Sequence, residues 1–426
     1  MQGSQGNGRA AAFMRPWVLV VAAVVVVAVV IVVTNSGGGK PGDTGKSSSG
    51  ANGGHRGTTV SDVPLSLTST SPAAGATNVP SDSTISLTFS SPVDLGSVHP
   101  TVTPSVAGTW VQASKDTLAY DLSDPLVPYA TETVTVPGGS KGIRSTDGKT
   151  LASTTNFTFT VVAGDMLRVQ QLLAQLDFLP LSFVPSVGTP AGKDLATDQP
   201  GSFAWRWSTL PAVLTSQWIP GEENMISKAA VEAFETQNNL TVDGDPGPSV
   251  WDALLADVEA NKVDATPYVY VLVNKVQPEN LTLYQNGAVT LANILVNTGA
   301  QGADTTDGTY AVFEHVRFPD MKGTNPDGST YNDPNVPYAS YFNGGDALHG
   351  FIRASYGFPQ SNGCVEMAYV NAALVWPLTP IGTLVTVEGP ASPPLPTPPT
   401  TTTTTPPATT PTTAPPTPTA PTVGPG

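Results

Sequence analysis

Hydrophobic and polar positions along this 426-residue chain change period several times. Trp17 to Val33 is an unbroken apolar run of 17 residues dominated by Val. That is the short end of a membrane-crossing helix and longer than an ordinary signal-peptide core. Arg9 and Arg15 precede it and no acid lies among residues 1–16, which predicts a cytoplasmic N-terminus at 1–16 and an uncleaved signal anchor at 17–33. A cleaved signal peptide is the alternative, although Thr34-Asn35-Ser36-Gly37-Gly38-Gly39 lacks an Ala-x-Ala cleavage pattern. The Gly/Ser-rich stretch 34–61 predicts a flexible tether.

From Val63 onward the period is two. Ile85-Ser86-Leu87-Thr88-Phe89, Thr133-Val134-Thr135-Val136 and Phe157-Thr158-Phe159-Thr160-Val161 alternate strictly, which predicts a β-sandwich over 62–163. The period then lengthens. Leu167, Leu172, Leu173 and Leu176, then Ile226, Ala230 and Phe234, then Val250, Trp251, Leu254 and Leu255 mark three helices within 165–260, with an insertion around 183–222. Strands return over 266–389. Leu281 to Tyr284 pairs naturally with Val289 to Val296 across Asn286-Gly287, a strong hairpin signal. Residues 319–340, rich in Asp, Asn, Gly, Pro and Tyr, predict a long loop over a site. The Pro/Thr-rich, uncharged stretch 390–426 cannot bury a core and predicts a disordered tail.

Composition narrows the function classes. A formal charge of −15 supplies no basic stripe for nucleic acid. Charged residues are 12% of the chain, against 41 glycines and 42 prolines, which favours strands and turns over long helices.

The chemistry concentrates around one cysteine. Cys364 is the chain's only thiol and stands in Ser361-Asn362-Gly363-Cys364-Val365-Glu366-Met367, fifteen residues after His349. A single thiol in an exported protein has no intramolecular disulfide partner. Gly363 lets the backbone turn tightly and opens the sulfur to a substrate. His349 can take the thiol proton, since only the thiolate is a strong nucleophile. These residues suggest a cysteine acyl-transfer site, with backbone N–H groups near Gly363 and Cys364 holding an oxyanion. The bland reading of a lone Cys is a small buried hydrophobe. His55 and His99 read as solvated loop residues, and His315 as the polar face of a strand. Neither His315 nor His349 has the companions a zinc site needs, so no metal or cofactor is expected.

The segment resembles the active-site signature of the L,D-transpeptidases, an upstream His-Gly followed by Ser/Thr-His-Gly-Cys. His349-Gly350 and Ser361, Gly363 and Cys364 match; Asn362 replaces the second His, and Glu366 stands where a basic or amide residue is common. The likeness runs from Tyr268 to Val387 and includes Asn297-Thr298-Gly299, Thr305-Thr306-Asp307-Gly308-Thr309-Tyr310 and Phe342-Asn343-Gly344-Gly345-Asp346-Ala347-Leu348-His349-Gly350. Ser71 to Pro80, with the following strand and Ser91-Pro92-Val93, resembles a bacterial immunoglobulin-like domain. Val242-Asp243-Gly244-Asp245-Pro246-Gly247-Pro248 before Trp251 resembles the turn of a small peptidoglycan-binding domain. The fold class expected is therefore multidomain and mainly β: transmembrane helix, Ig-like sandwich, three-helix peptidoglycan-binding-like domain, β-rich catalytic domain and disordered tail.

The resemblance implies an enzyme of cell wall biogenesis, on the outer side of the cell membrane, acting on peptidoglycan stem peptides. Cys364 would be the nucleophile and His349 the general base; Ser361, Asn362, Gly363 and Gly350 would support the oxyanion and turn; Glu366, Arg353 and Tyr310 would touch substrate. The product would be a 3→3 cross-link through a thioester. A carboxypeptidase-type hydrolase using the same thioester, and a non-catalytic wall-binding protein with a decayed site, remain the alternatives.

Overall fold

A computed structural model describes residues 63–188 and 190–392. The expected cytoplasmic segment, signal anchor and tether at 1–61 lie outside the described residues, as does the tail from 393. Among the described residues no helix is long and apolar enough to cross a membrane.

The first region is a sandwich of seven strands: β1 (Leu67–Ser71), β2 (Ile85–Phe89), β3 (Thr101–Thr103), β4 (Gly108–Ser114), β5 (Thr117–Leu122), β6 (Thr131–Val136) and β7 (Thr155–Thr160). One sheet runs β1-β2-β5-β4 and the other β3-β6-β7. Alternation sends Ile85, Leu87 and Phe89 from one sheet, and Val134, Val136, Phe157 and Phe159 from the other, into a shared core.

Three longer helices follow: α1 (Met166–Gln175), then, after the insertion, α3 (Met225–Gln237) and α4 (Pro248–Glu259). The insertion folds as a two-stranded hairpin, β8 (Leu181–Pro185) with β9 (Gly201–Trp205), and a one-turn helix α2 (Ala212–Thr215). Asp165 caps α1 through Leu167 N, and Asn224 with Ser227 forms a reciprocal cap on α3. Leu172, Leu173, Phe234, Trp251 and Leu254 form a core that also takes in Tyr270, Ala311 and Leu384 of the next region. The helices are thus cemented to the catalytic-region sheet by shared apolar burial.

That sheet has nine strands. They are β10 (Val269–Asn274), β11 (Asn280–Gln285), β12 (Ala288–Asn297), β13 (Gly308–Ala311), β14 (Glu314–Val316), then β17 (Ala339–Asn343), β18 (Asp346–Gly350), β19 (Val365–Met367) and β20 (Leu384–Glu388). Their order is β13-β20-β10-β11-β12-β19-β18-β17-β14. β11 and β12 meet across Asn286 and Gly287, both at positive φ (47° and 73°), as a tight two-residue hairpin requires. The helix α5 (Tyr369–Val375) packs on β18: a Cβ on Gly350 would press on Tyr369 and Ala372.

Two expectations are corrected. Residues 319–340 are not a plain loop: β15 (Met321–Thr324) and β16 (Thr330–Asp333) pair as a separate hairpin, because Thr330 and Tyr331 supply a strand and Asp327-Gly328 the reversal, with Gly328 at φ 85°. The stretch expected as tail from 390 stays attached at its start. Ser392 donates its hydroxyl to Gly299 O (2.5 Å) and its N–H to Asp304 Oδ1 (3.0 Å).

Candidate active site

The site is built where two strands run parallel. β18 and β19 pair with Leu348 opposite Val365, His349 opposite Glu366 and Gly350 opposite Met367. Leu348, Val365 and Met367 are fully buried, so the register is fixed by what must go into the core. Period-two alternation then sets His349 and Glu366 on the other face, and Cys364 stands one step before β19 with its sulfur against the β18 backbone at Gly345 O.

The sequence between these strands makes the turn. Gly363 has φ 112°, a conformation closed to ordinary side chains, and a Cβ there would collide with Oδ1 of Asp346. Ser361 is buried, and its hydroxyl donates to Cys364 O at 2.6 Å, clasping the turn. Gly363 O accepts from Thr305 Oγ1 at 2.6 Å, and Thr305 Oγ1 accepts from Gly299 N at 2.8 Å. Glu279, fully buried, takes Thr298 N (2.7 Å) on one oxygen and Thr298 Oγ1 (2.8 Å) on the other. The Thr298–Gly299 strand end is thereby locked against the nucleophile turn.

His349 is 3% exposed. Its Nδ1 lies 3.1 Å from Gly350 O. A carbonyl only accepts, so Nδ1 carries the proton and Nε2 is left as the basic nitrogen. Burial holds the imidazole below the ordinary histidine pKa, against the pull of Gly350 O and Glu366. The ring is therefore neutral at neutral pH. The Cys364 thiol points to Gly345 O at 3.6 Å. Burial, aided by the negative charges of Asp346 and Glu366, pushes it up to about 12, with only the Ala347 N–H opposing. The two groups rest as a thiol and an imidazole.

The residues expected to touch substrate divide differently. Glu366 (4% exposed) and Arg353 bind one another bidentately: Nε to Oε2 and Nη2 to Oε1, both 2.7 Å. Both carboxylate oxygens are thus occupied, while the Arg353 guanidinium keeps part of its surface exposed. Tyr310 donates its hydroxyl to Thr306 O (3.3 Å) and Asp307 O (3.1 Å), holding its own turn while its ring packs near Phe342. Gly350 gives α5 its close approach. Asn362 is exposed and its amide N–H donates to Asn325 Oδ1 at 2.6 Å, at the tip of the β15–β16 hairpin, so it tethers the cover of the site. Gly363 N–H leans on Ser361 Oγ at 3.3 Å. His315 stacks on Trp376 (4.1 Å) and bonds Ser340, apart from the site.

Asp346 escaped the sequence reading. Its carboxyl lies against Gly363, and burial pushes it up to about 6, resisted by one long bond from Asn343 Nδ2 (3.5 Å). The charges of Asp346 and Cys364 both reach Tyr331 of the hairpin, and Asp333 of the same strand reaches His349 and Arg353. The signal available in the sequence was that Asp346 is the one carboxylate between the glycine pair and His349.

Residues 268–387 match the L,D-transpeptidase catalytic domain, and residues 61–161 match the bacterial Ig-like domain. Both of these resemblances are those read from the sequence. Among solved structures the chain is similar to an L,D-transpeptidase from Mycobacterium smegmatis, at 12% identity and TM-score 0.26, covering 77% of this chain and 100% of that one. It is similar to L,D-transpeptidase 3 from Mycobacterium tuberculosis with a faropenem-derived adduct, at 12% identity and TM-score 0.27, over 76% and 98% of the two chains. The catalytic domain of the E. faecium L,D-transpeptidase is 23% identical with TM-score 0.26, over 29% of this chain and all of that one. No curated protein sequence matches the chain.

Proposed function

We propose that this chain is a peptidoglycan L,D-transpeptidase that works through a Cys364 thioester and forms 3→3 cross-links. The observation that supports the reading is the parallel β18–β19 pairing, which puts His349 and Cys364, the residue before β19, on neighbouring strands inside the matched catalytic domain. Cys364 attacks the carbonyl that joins a third-position diamino acid to D-Ala as His349 Nε2 takes the thiol proton. The imidazolium returns that proton to the departing D-Ala amine. A side-chain amine of a second stem then resolves the thioester. Covalent catalysis suits the exchange because the acyl group is held while one amine replaces another.

In this reading residues 17–33 anchor the protein with its domains outside the cell membrane. The sandwich spaces the catalytic region from the anchor, and the three-helix region serves as a peptidoglycan-binding module. The test is mass spectrometry of the purified protein with a tetrapeptide stem: an acyl adduct on Cys364 with release of D-Ala is expected, and no adduct on folded protein overturns it. Product analysis with and without an amine acceptor separates transferase from hydrolase. Slow alkylation of Cys364 by a simple reagent does not indicate a decayed site, because a thiol raised to about 12 is sluggish until His349 takes its proton.

A further inference from the structure

Two carboxylates flank the nucleophile, and only one is committed. Glu366 is bound on both oxygens by Arg353. Asp346 lies against the turn, its Oδ1 standing where a Cβ on Gly363 would come. The residues on either side of it in β18 meet the sulfur directly: Gly345 O is 3.6 Å from Sγ, and the Ala347 N–H is aimed at it. Among the described residues no Lys, Arg or His side chain pairs with Asp346, whose sole side-chain hydrogen bond there is the 3.5 Å one from Asn343 Nδ2. A half-buried carboxylate with no cation, held beside a nucleophile, is an unfilled half of an ion pair.

We propose that Asp346 is the binding group for the acceptor: it pairs with the primary ammonium of the incoming chain and takes a proton from it. This rests on the cysteine-transpeptidase reading and names the residue that selects an amine over water. The ammonium gives one proton to the Asp346 carboxylate. The free amine lone pair then attacks the thioester carbonyl carbon, the C–N bond forms and the C–S bond breaks with its electron pair leaving on Sγ. The second amine proton reaches Sγ through His349, and Asp346 returns its proton to water.

The placement suits a cation rather than a donor carboxylate. The titratable groups that feel the charge of Asp346 are Tyr310 from β13, Tyr331 from β16 and Cys364, none of them a cation that would hold a donor carboxylate. A carboxylate pushed up to about 6 is also a better proton acceptor than an ordinary aspartate.

The experiment uses the full chain, an N-acetylated tetrapeptide donor and, as acceptor, a tripeptide ending in lysine. Three quantities are read: the rate of the Cys364 adduct, the partition of that adduct between transfer and hydrolysis, and the melting temperature. In Asp346→Asn the adduct is expected to form at least as fast, because an anion opposing the thiolate is gone, while the transfer-to-hydrolysis ratio falls about tenfold or more, the scale of a lost charged hydrogen bond. Asp346→Glu, which keeps the charge, should recover part of the ratio. An unchanged ratio in Asp346→Asn, or equal slowing of acylation and transfer, would overturn the assignment. Absence of any adduct in the unsubstituted protein would instead remove the cysteine reading beneath it.

Discussion

The two flanks of Cys364 carry the same functional group in opposite conditions. On the β18–β19 face Glu366 is almost fully buried, paired bidentately with Arg353 and set opposite His349. On the other flank Asp346 has no counter-charge and a raised pKa. A buried pair with its bonds satisfied holds geometry, and removing one member leaves an uncompensated charge. A half-buried carboxylate left open costs stability and is kept where something else supplies the cation. In the proposed reading the Glu366 flank orients the base, and the Asp346 flank faces the ligand.

The largest effect should fall on the base. His349→Ala is expected to lower Cys364 acylation about 10²–10⁴-fold, the range for a positioned general base, measured as the rate of adduct formation. Because the imidazole is held below its ordinary pKa by burial, acylation by the unsubstituted protein should persist below the ordinary histidine range before falling as the ring is protonated. A pH profile of Asp346→Asn, which removes the carboxyl raised to about 6, should show one histidine-like ionisation, since Asn362 does not titrate.

Next comes the pair on the ordered flank. Arg353→Met leaves Glu366 buried and alone. It should cost about 3 kcal/mol in urea unfolding, the low end for breaking a buried pair, because the guanidinium is partly exposed. A cost near zero would erase the contrast between the two carboxylates. Gly363→Ala combines a φ of 112° with a clash against Asp346, so it should weaken both stability and acylation.

Asp346→Asn sharpens the comparison from the other side. The folded carboxyl titrates near 6 and the unfolded one near about 4. Ionisation is thus harder in the folded state, and the unsubstituted protein loses stability as pH rises through that window. The variant lacks this loss, so its melting temperature should match below about pH 4 and exceed the unsubstituted value above pH 7. The smallest effect is Asn362→Ala: the side chain is exposed, and a surface change within about 0.5 kcal/mol should move acylation by about twofold.

Local chemistry made part of this legible. Asn286-Gly287 named its turn because both residues tolerate positive φ, and strict alternation named the sandwich core. Gly363 before Cys364 marked the turn that exposes the thiol. What the sequence hid was tertiary. Arg353 and Glu366 lie in different segments, and only the parallel pairing of β18 with β19 brings them into contact. The Tyr310 hydroxyl bonds its own turn, a contact that the sequence does not announce. Asp346 read as part of a glycine-rich approach, because nothing local says that Gly363 will press against it.

The most direct test of the central claim is intact-protein mass spectrometry of the purified chain after mixing with the tetrapeptide donor, alongside Cys364→Ala. The account predicts a single acyl adduct located on Cys364, D-Ala in solution and neither in the variant. A folded protein that gains no mass, or gains it equally in Cys364→Ala, would contradict it.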